Sequence, residues 1–171
     1  MLETANQSVA LSDADGPTVG LLVHWAYTSQ IKLASIDKDD EKAIEKTSQL
    51  FVSLAKLWLL GRQTLIPTLQ NQVMVKINDA LKNASPSAIL NFARWVYYWD
   101  EDTESKLHLR AIHAIAFQVN PQYLRFSRET ITSDLVSDVT LVLSARHFEG
   151  LPKEKFMEPL REKASGPGRA V

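Results

Sequence analysis

Apolar side chains recur at helical spacing along most of the chain, most clearly over residues 50–81. The first half of this stretch has them three and four positions apart, and the second half has them at every fourth position: Leu50, Phe51, Leu54, Leu57 and Trp58, then Leu65, Leu69, Val73, Ile77 and Leu81. Such a stripe is typical of a helix with one buried face. Because the break at residues 61–64 is short, we predict an antiparallel helical hairpin. Gly61 is predicted to end the first helix in a left-handed conformation, and Pro67 to lie in the first turn of the second.

The same periodicity predicts further helices on both sides of this hairpin. Their inward residues are Val19, Leu22, Val23 and Ala26; Ile89, Phe92, Ala93, Val96 and Tyr97; His108, Ile112, Ile115, Ala116 and Val119; and Leu135, Val139, Val142 and Leu143. Ser85 is predicted to cap the helix that Pro86 begins. A weaker helix is predicted over residues 152–163, and short extended pieces over residues 8–11 and 31–36. These elements predict a mainly α protein, a helical hairpin and bundle with at most one or two short strands near the N terminus.

Composition narrows the class of protein. The chain has 171 residues, of which 45% are apolar, so a sizeable core is expected. A net charge of -1 argues against a general nucleic-acid or anionic-membrane surface. Every apolar run is interrupted by polar residues before it reaches membrane-spanning length, and the first eight residues do not resemble a signal peptide. The chain has no cysteine, which excludes disulfides and thiolate sites. We expect an intracellular protein of the cytoplasm or nucleus.

Candidate chemistry is sparse. His108 and His113 lie five positions apart, so they point to different sides of a helix and do not form a joint metal site. The acidic residues 37–41 and 100–104 lack the glycine and distal glutamate of a calcium loop. The aromatic cluster Trp95, Tyr97, Tyr98 and Trp99 suggests a ligand cage or a stacking platform, but packing is favoured because these residues spread around a helix. We therefore expect no catalytic residue, no metal and no cofactor.

Several short motifs resemble those of the BTB/POZ domain family, in its fungal form. Residues 21–31, LLVHWAYTSQI, resemble the helix that ends in a W-x-Y-T-G pattern in that family, and residues 8–11 resemble the strand before it. Residues 65–71, LIPTLQN, resemble the IP-x-LQN start of a hairpin helix. Residues 106–112, KLHLRAI, resemble the s-x-LR helix that follows many fungal domains of this family. The opening strand-helix-strand portion of the family has no counterpart in this chain.

The resemblance implies a domain division and a class of function. Residues 1–83 are expected to form the C-terminal portion of a BTB/POZ-like domain, residues 84–163 a helical extension and residues 164–171 a disordered tail. The resemblance implies a protein-protein interaction module, either an adaptor for a cullin-type ubiquitin ligase scaffold or a self-associating element, with no nucleic-acid or membrane partner. The region expected to bind the partner comprises residues 31–46 and outward residues of the hairpin. Its candidate contacts are Trp25, Tyr27, Ile31, Leu57, Trp58, Leu65 and Leu69.

Two other interpretations stay open at this point. The first is a truncated fragment without autonomous function, since the family's opening portion has no counterpart here. The second is a helical enzyme of unrecognised type. An enzyme would need a cleft where titratable side chains converge, for instance His108 or His113 with an acid, and their pKa values would be perturbed.

Overall fold

A computed structural model describes residues 15–37, 42–126 and 131–149, and in these ranges it contains seven α-helices and no strand. The helices are α1 (Gly16–Thr28), α2 (Ala43–Gln63), α3 (Pro67–Leu81), α4 (Pro86–Trp99), α5 (Lys106–Gln118), α6 (Pro121–Phe126) and α7 (Ser133–Glu149). The prediction of a mainly α bundle is confirmed. The strand predicted at residues 8–11, the helix predicted at 152–163 and the tail at 164–171 lie outside the described residues.

Helices α2 and α3 form the predicted hairpin, and their facing side chains make the centre of the core. The inner residues of both helices are buried. They are Leu69, Val73, Ile77 and Leu81 on α3, and Phe51, Leu54, Leu57 and Trp58 on α2. Pro67 is at the start of α3, as predicted, where its missing N–H costs no intrahelical hydrogen bond. The hairpin is therefore held by a continuous apolar seam.

The predicted role of Gly61 is wrong. Helix α2 continues past Gly61 to Gln63, and Gly61 is buried inside it. A β-carbon at Gly61 would lie 3.0 Å from Cγ of Gln70, so the glycine allows α3 to approach α2 closely. The left-handed residue of the turn is Leu65 instead, with φ of 55°. A non-glycine residue in this conformation stores backbone strain, which the packing of the two helices must offset.

Side-chain caps fix the starts of three helices, α1, α4 and α5. Ser85 Oγ accepts a hydrogen bond from the backbone N–H of Ala88 at 3.3 Å and caps α4, which confirms that prediction. Helix α5 begins after Ser105, whose Oγ accepts from the backbone N–H of His108 at 3.0 Å. Asp15 caps α1 in the same way, because its carboxylate accepts a hydrogen bond from the backbone N–H of Thr18. The same carboxylate also pairs with Lys56 of α2 at 2.9 Å. These caps set where each helix begins in the chain.

One hydrophobic core joins the helices on both sides of the boundary between residues 83 and 84. Helix α4 packs on α2, α5 on α4, and α7 on α5. The rings of Phe51 and Phe92, 5.2 Å apart between centroids, join α2 to α4 at the centre. Leu143, predicted to face inward, is exposed, because α7 packs mainly on α5, which covers one side of it. None of the described helices is both long and apolar enough to cross a membrane.

Gly61 offers a direct test of the hairpin packing. Gly61→Leu places a branched side chain against Gln70 and Leu69 and should lower the free energy of unfolding by about 1–3 kcal/mol. The control is Gly20→Ala on α1, where a β-carbon meets nothing within 4 Å. That change should raise the free energy of unfolding by about 0.5–1 kcal/mol, because alanine has the higher helix propensity. Urea denaturation measures both, and a Gly61→Leu protein as stable as the wild type would contradict the close approach.

Candidate functional site

A buried carboxylate, that of Asp100, connects three elements at one end of the bundle. Its side chain is fully buried and accepts a hydrogen bond from Nη1 of Arg62 at 3.0 Å and another from Oγ of Ser105. Arg62 also lies 3.4 Å from Oδ2 of Asp102 and 5.7 Å from the ring centre of Trp58. A buried carboxylate is tolerated only when it is paired and hydrogen-bonded. The end of α2 is thereby tied to the α4–α5 connection and to the residue that caps α5.

His108 lies directly beside this network, but its ring nitrogens form no hydrogen bond with it. Only 2% of the residue is exposed, its ring is 4.0 Å from that of Tyr97, and neither ring nitrogen has a hydrogen-bond partner of good geometry among the described residues. Burial lowers the pKa of His108, although the nearby carboxylates of Asp100 and Asp138 act in the opposite direction. The imidazole is therefore held neutral inside the core.

Tyr97 and His113 have pKa values that are shifted mainly by burial. Burial and the 2.6 Å hydrogen bond that the Tyr97 hydroxyl donates to Asp138 raise the pKa of Tyr97. Burial and the charge of Arg110 lower the pKa of His113, whose ring meets that of Phe117 edge-on. Both side chains are partly buried, so their shifts follow mainly from the loss of contact with water. Among the described residues, no three acidic or histidine side chains are close enough to hold a metal ion.

The opposite end of α2 borders an open groove with a volume of about 900 Å³. Leu50 is the groove residue of α2 nearest to Arg62, and the twelve residues between these positions span about 18 Å along the helix. One wall is the extended segment that follows α1, and the other is formed by the first turns of α2 and the last turns of α3. Eight of the fifteen lining residues are apolar: Ile31, Leu33, Ala34, Ile36, Ala43, Ile44, Leu50 and Ala80. The groove is open to solvent, and its volume lies within the range of ligand-binding pockets.

Among the described residues, some charged groups of the groove have a partner and others do not. Asp79 pairs with Lys82 at 2.7 Å, and this hydrogen bond, with the charges of Lys82 and Lys76, lowers the pKa of Asp79. Lys76 lies half-buried in the lining and forms no ion pair or hydrogen bond with any residue that the structure describes. Lys32 is exposed at the rim. The groove therefore presents a cation among apolar side chains.

The backbone of the extended wall is also without partners. Across Ile31 to Ile36, no backbone N–H or C=O group forms a hydrogen bond within the described part of the chain. Ile31 anchors this segment, since its side chain is buried in the core cluster. Extended backbone with free donors and acceptors is able to pair with another strand.

The residues predicted to bind a partner fall into three groups by their exposure. Ile31, Leu57, Trp58 and Leu69 are buried and build the core. Tyr27 and Leu65 are 88% and 85% exposed, at the end of α1 and in the α2–α3 turn respectively. Trp25 is half-buried, and its Nε1 donates to Oε1 of Gln72 on α3 at 3.1 Å. Of the seven, Ile31 alone lines the groove.

Sequence reasoning missed Lys76 and Ile44 of the groove and the pairing of Arg62 with Asp100. Helical periodicity placed Lys76 and Ile44 outside the apolar stripes and carried no further signal about them. Residues 31–36 were predicted to be extended, and the structure shows that segment as neither helix nor strand. This segment becomes a groove wall because α2 and α3 form the wall opposite it, which the segment's own sequence does not indicate.

The chain matches no protein-family model, no curated protein and no solved structure. The likeness to BTB/POZ domains stays a prediction that rests on short motifs. We therefore infer the function from the geometry of the groove and from the residues around it.

Asp100→Ala should lower the free energy of unfolding by about 2–4 kcal/mol, because it leaves Ser105 without its acceptor and Arg62 without its buried partner. The partial exposure of Arg62 keeps the loss below that of a fully buried pair. The matched control is Glu101→Ala, the exposed neighbour, which should change stability by less than about 0.5 kcal/mol. Chemical denaturation measures both, and equal stabilities would show that the network contributes little.

His108 should make stability depend on pH in a defined direction. The folded state keeps His108 neutral, whereas in the unfolded chain it titrates near its ordinary value of 6.5. As pH falls below that value, the unfolded chain takes up the proton first and the free energy of unfolding decreases, by at most about 1.4 kcal/mol per pH unit for one histidine. His108→Phe should make this dependence shallower between about pH 5 and 7. Identical slopes for the variant and the wild type would contradict a neutral, buried His108.

Proposed function

We propose that this chain is a protein-interaction module that binds its partner at the groove, with no catalytic activity. The observation that carries the proposal is the groove itself, an open depression in which Lys76 and the backbone of residues 31–36 have no partner among the residues that the structure describes. Free apolar surface of this kind is costly in water unless a ligand covers it.

Exposed apolar residues near the groove support the same function. Ile44 lines the groove and is 52% exposed, and Tyr27 is exposed on the last turn of α1, just before the groove wall begins. Tyrosine at such a position offers a large contact area and a polar tip, which is why it is enriched in protein interfaces.

Binding is favoured over catalysis by where the titratable groups lie. His108 is buried, and the pKa shifts of Tyr97 and His113 come mainly from burial. A substrate in the groove would be far from His108, because the Asp100 network lies at the opposite end of α2. The enzyme interpretation therefore has the weaker support.

The likeness to BTB/POZ domains leads to a more specific version of this proposal. The groove falls within residues 31–46 and the adjoining hairpin, where the resemblance places the contacts to a cullin-type scaffold. Self-association is the other partner that the resemblance implies. A continuous core and a fully partnered Asp100 support a folded module over a fragment without function.

Site-specific photo-crosslinking tests the proposed function. Ile44 is replaced by p-benzoylphenylalanine in the cells that make this protein, and the control places the same group at Val75, which is equally exposed at 51% but lies outside the groove. We expect a discrete protein adduct from position 44 that is absent or much weaker from position 75.

Mass spectrometry identifies the adduct, and co-expression of the unlabelled wild-type chain should reduce it by competition. Equal, heterogeneous labelling from both positions would contradict binding at the groove.

A further inference from the structure

We propose that the groove binds a peptide segment in extended conformation, with an acidic side chain facing Lys76 and apolar side chains on alternate residues. This inference rests on the proposed function and adds the conformation and charge of the ligand. Three features of the groove carry it: the free backbone, the apolar lining and the charge of the lysine.

The first feature is the free backbone of the extended wall. The segment from Ile31 to Ile36 has six residues, which span about 20 Å in strand geometry. Its N–H and C=O groups have no hydrogen-bond partner within the described residues. A ligand strand alongside it satisfies these groups by main-chain hydrogen bonds, as when a peptide adds to the edge of a sheet. A helical ligand cannot do so, because its own backbone groups are already paired.

The second feature is the apolar lining opposite this wall. Ile44 and Leu50 contribute from α2 and Ala80 from α3, while Leu33 contributes from the extended wall itself. Successive side chains of a strand point to opposite sides, so every second residue of the ligand enters the groove. The ligand should therefore alternate apolar residues with residues that face water.

The third feature is the charge of the groove. Lys76 is half-buried without an ion pair to any described residue, and Lys32 adds a second positive charge at the rim. Asp79 offsets only part of this charge, because it pairs with Lys82 at 2.7 Å as well as interacting with the charge of Lys76. A carboxylate on the ligand restores the charge balance at Lys76, and a basic side chain there is repelled.

Selection from a display library of random ten-residue peptides against the full chain provides the ligand. We expect the enriched sequences to share one aspartate or glutamate and apolar residues at alternate positions. Fluorescence anisotropy then measures the affinity of a synthetic copy of the most enriched peptide for the wild type and for variants.

Two pairs of variants test the groove. Lys76→Glu should weaken binding by at least about tenfold, while Lys106→Glu, the same charge change on an exposed residue of α5 outside the groove lining, should stay within about twofold. Ile44→Asp should weaken binding by a similar factor, whereas Val75→Asp should not. Circular dichroism melts of the variants separate loss of binding from loss of fold.

N-methylation of the peptide, one amide at a time, tests the extended conformation. Only every second amide of a paired strand donates to its neighbour, so methylation should abolish binding at alternate positions and be tolerated between them. Loss at every position, or tolerance at every position, overturns the proposal. So does a selected peptide that binds the Lys76→Glu chain as well as the wild type.

The outcomes also separate this inference from the proposed function. A crosslinked protein at position 44 together with a non-alternating methylation pattern keeps the interaction module and overturns the extended acidic ligand. A concentration-dependent dimer that Ile44→Asp disrupts assigns the groove to a second copy of the chain and also overturns it. If neither a crosslink nor a groove-dependent peptide is found, both proposals fail.

Discussion

The buried carboxylate of Asp100 is the constraint on which the arrangement of the later helices depends. A charge removed from water must be compensated, and here Arg62 from the end of α2 and Ser105 from the start of α5 supply the compensation. Because Ser105 also caps α5, one carboxylate links the hairpin to the position where α5 begins. Helix α7 packs on α5, so its position depends on the same link. The motif is local in space although its members are far apart in the chain.

The two ends of α2 have opposite characters. At the Asp100 end, the buried carboxylate finds its partners inside the protein, and His108 is buried beside it. At the groove end, the backbone of the extended wall and the ammonium of Lys76 lack partners within the described residues. Exposed groups of this kind bind water in the free chain, and a ligand strand can take the place of that water while it covers the apolar surface beside them. The division explains why binding is placed at one end and stability at the other.

Most of the helices could be predicted from the sequence because each has a local cause. Periodic apolar residues report a buried face, and Ser85 and Pro67 mark helix starts through their own chemistry. The failure at Gly61 has a tertiary cause, since what that glycine allows is contact with Gln70 on another helix. Arg62 and Asp100 are 38 positions apart, and no spacing rule connects them. The groove likewise combines Ile44 and Lys76 from different helices, so periodicity within one helix did not predict it.

Hydrogen–deuterium exchange of the full chain, with and without a saturating selected peptide, tests the central claim most directly. If the groove binds an extended segment through the free backbone, amides between Ile31 and Ile36 gain protection while those of the α4–α5 connection around Asp100 do not. Protection that appears at the Asp100 end, or none at residues 31–36 while the peptide is bound, would contradict the account.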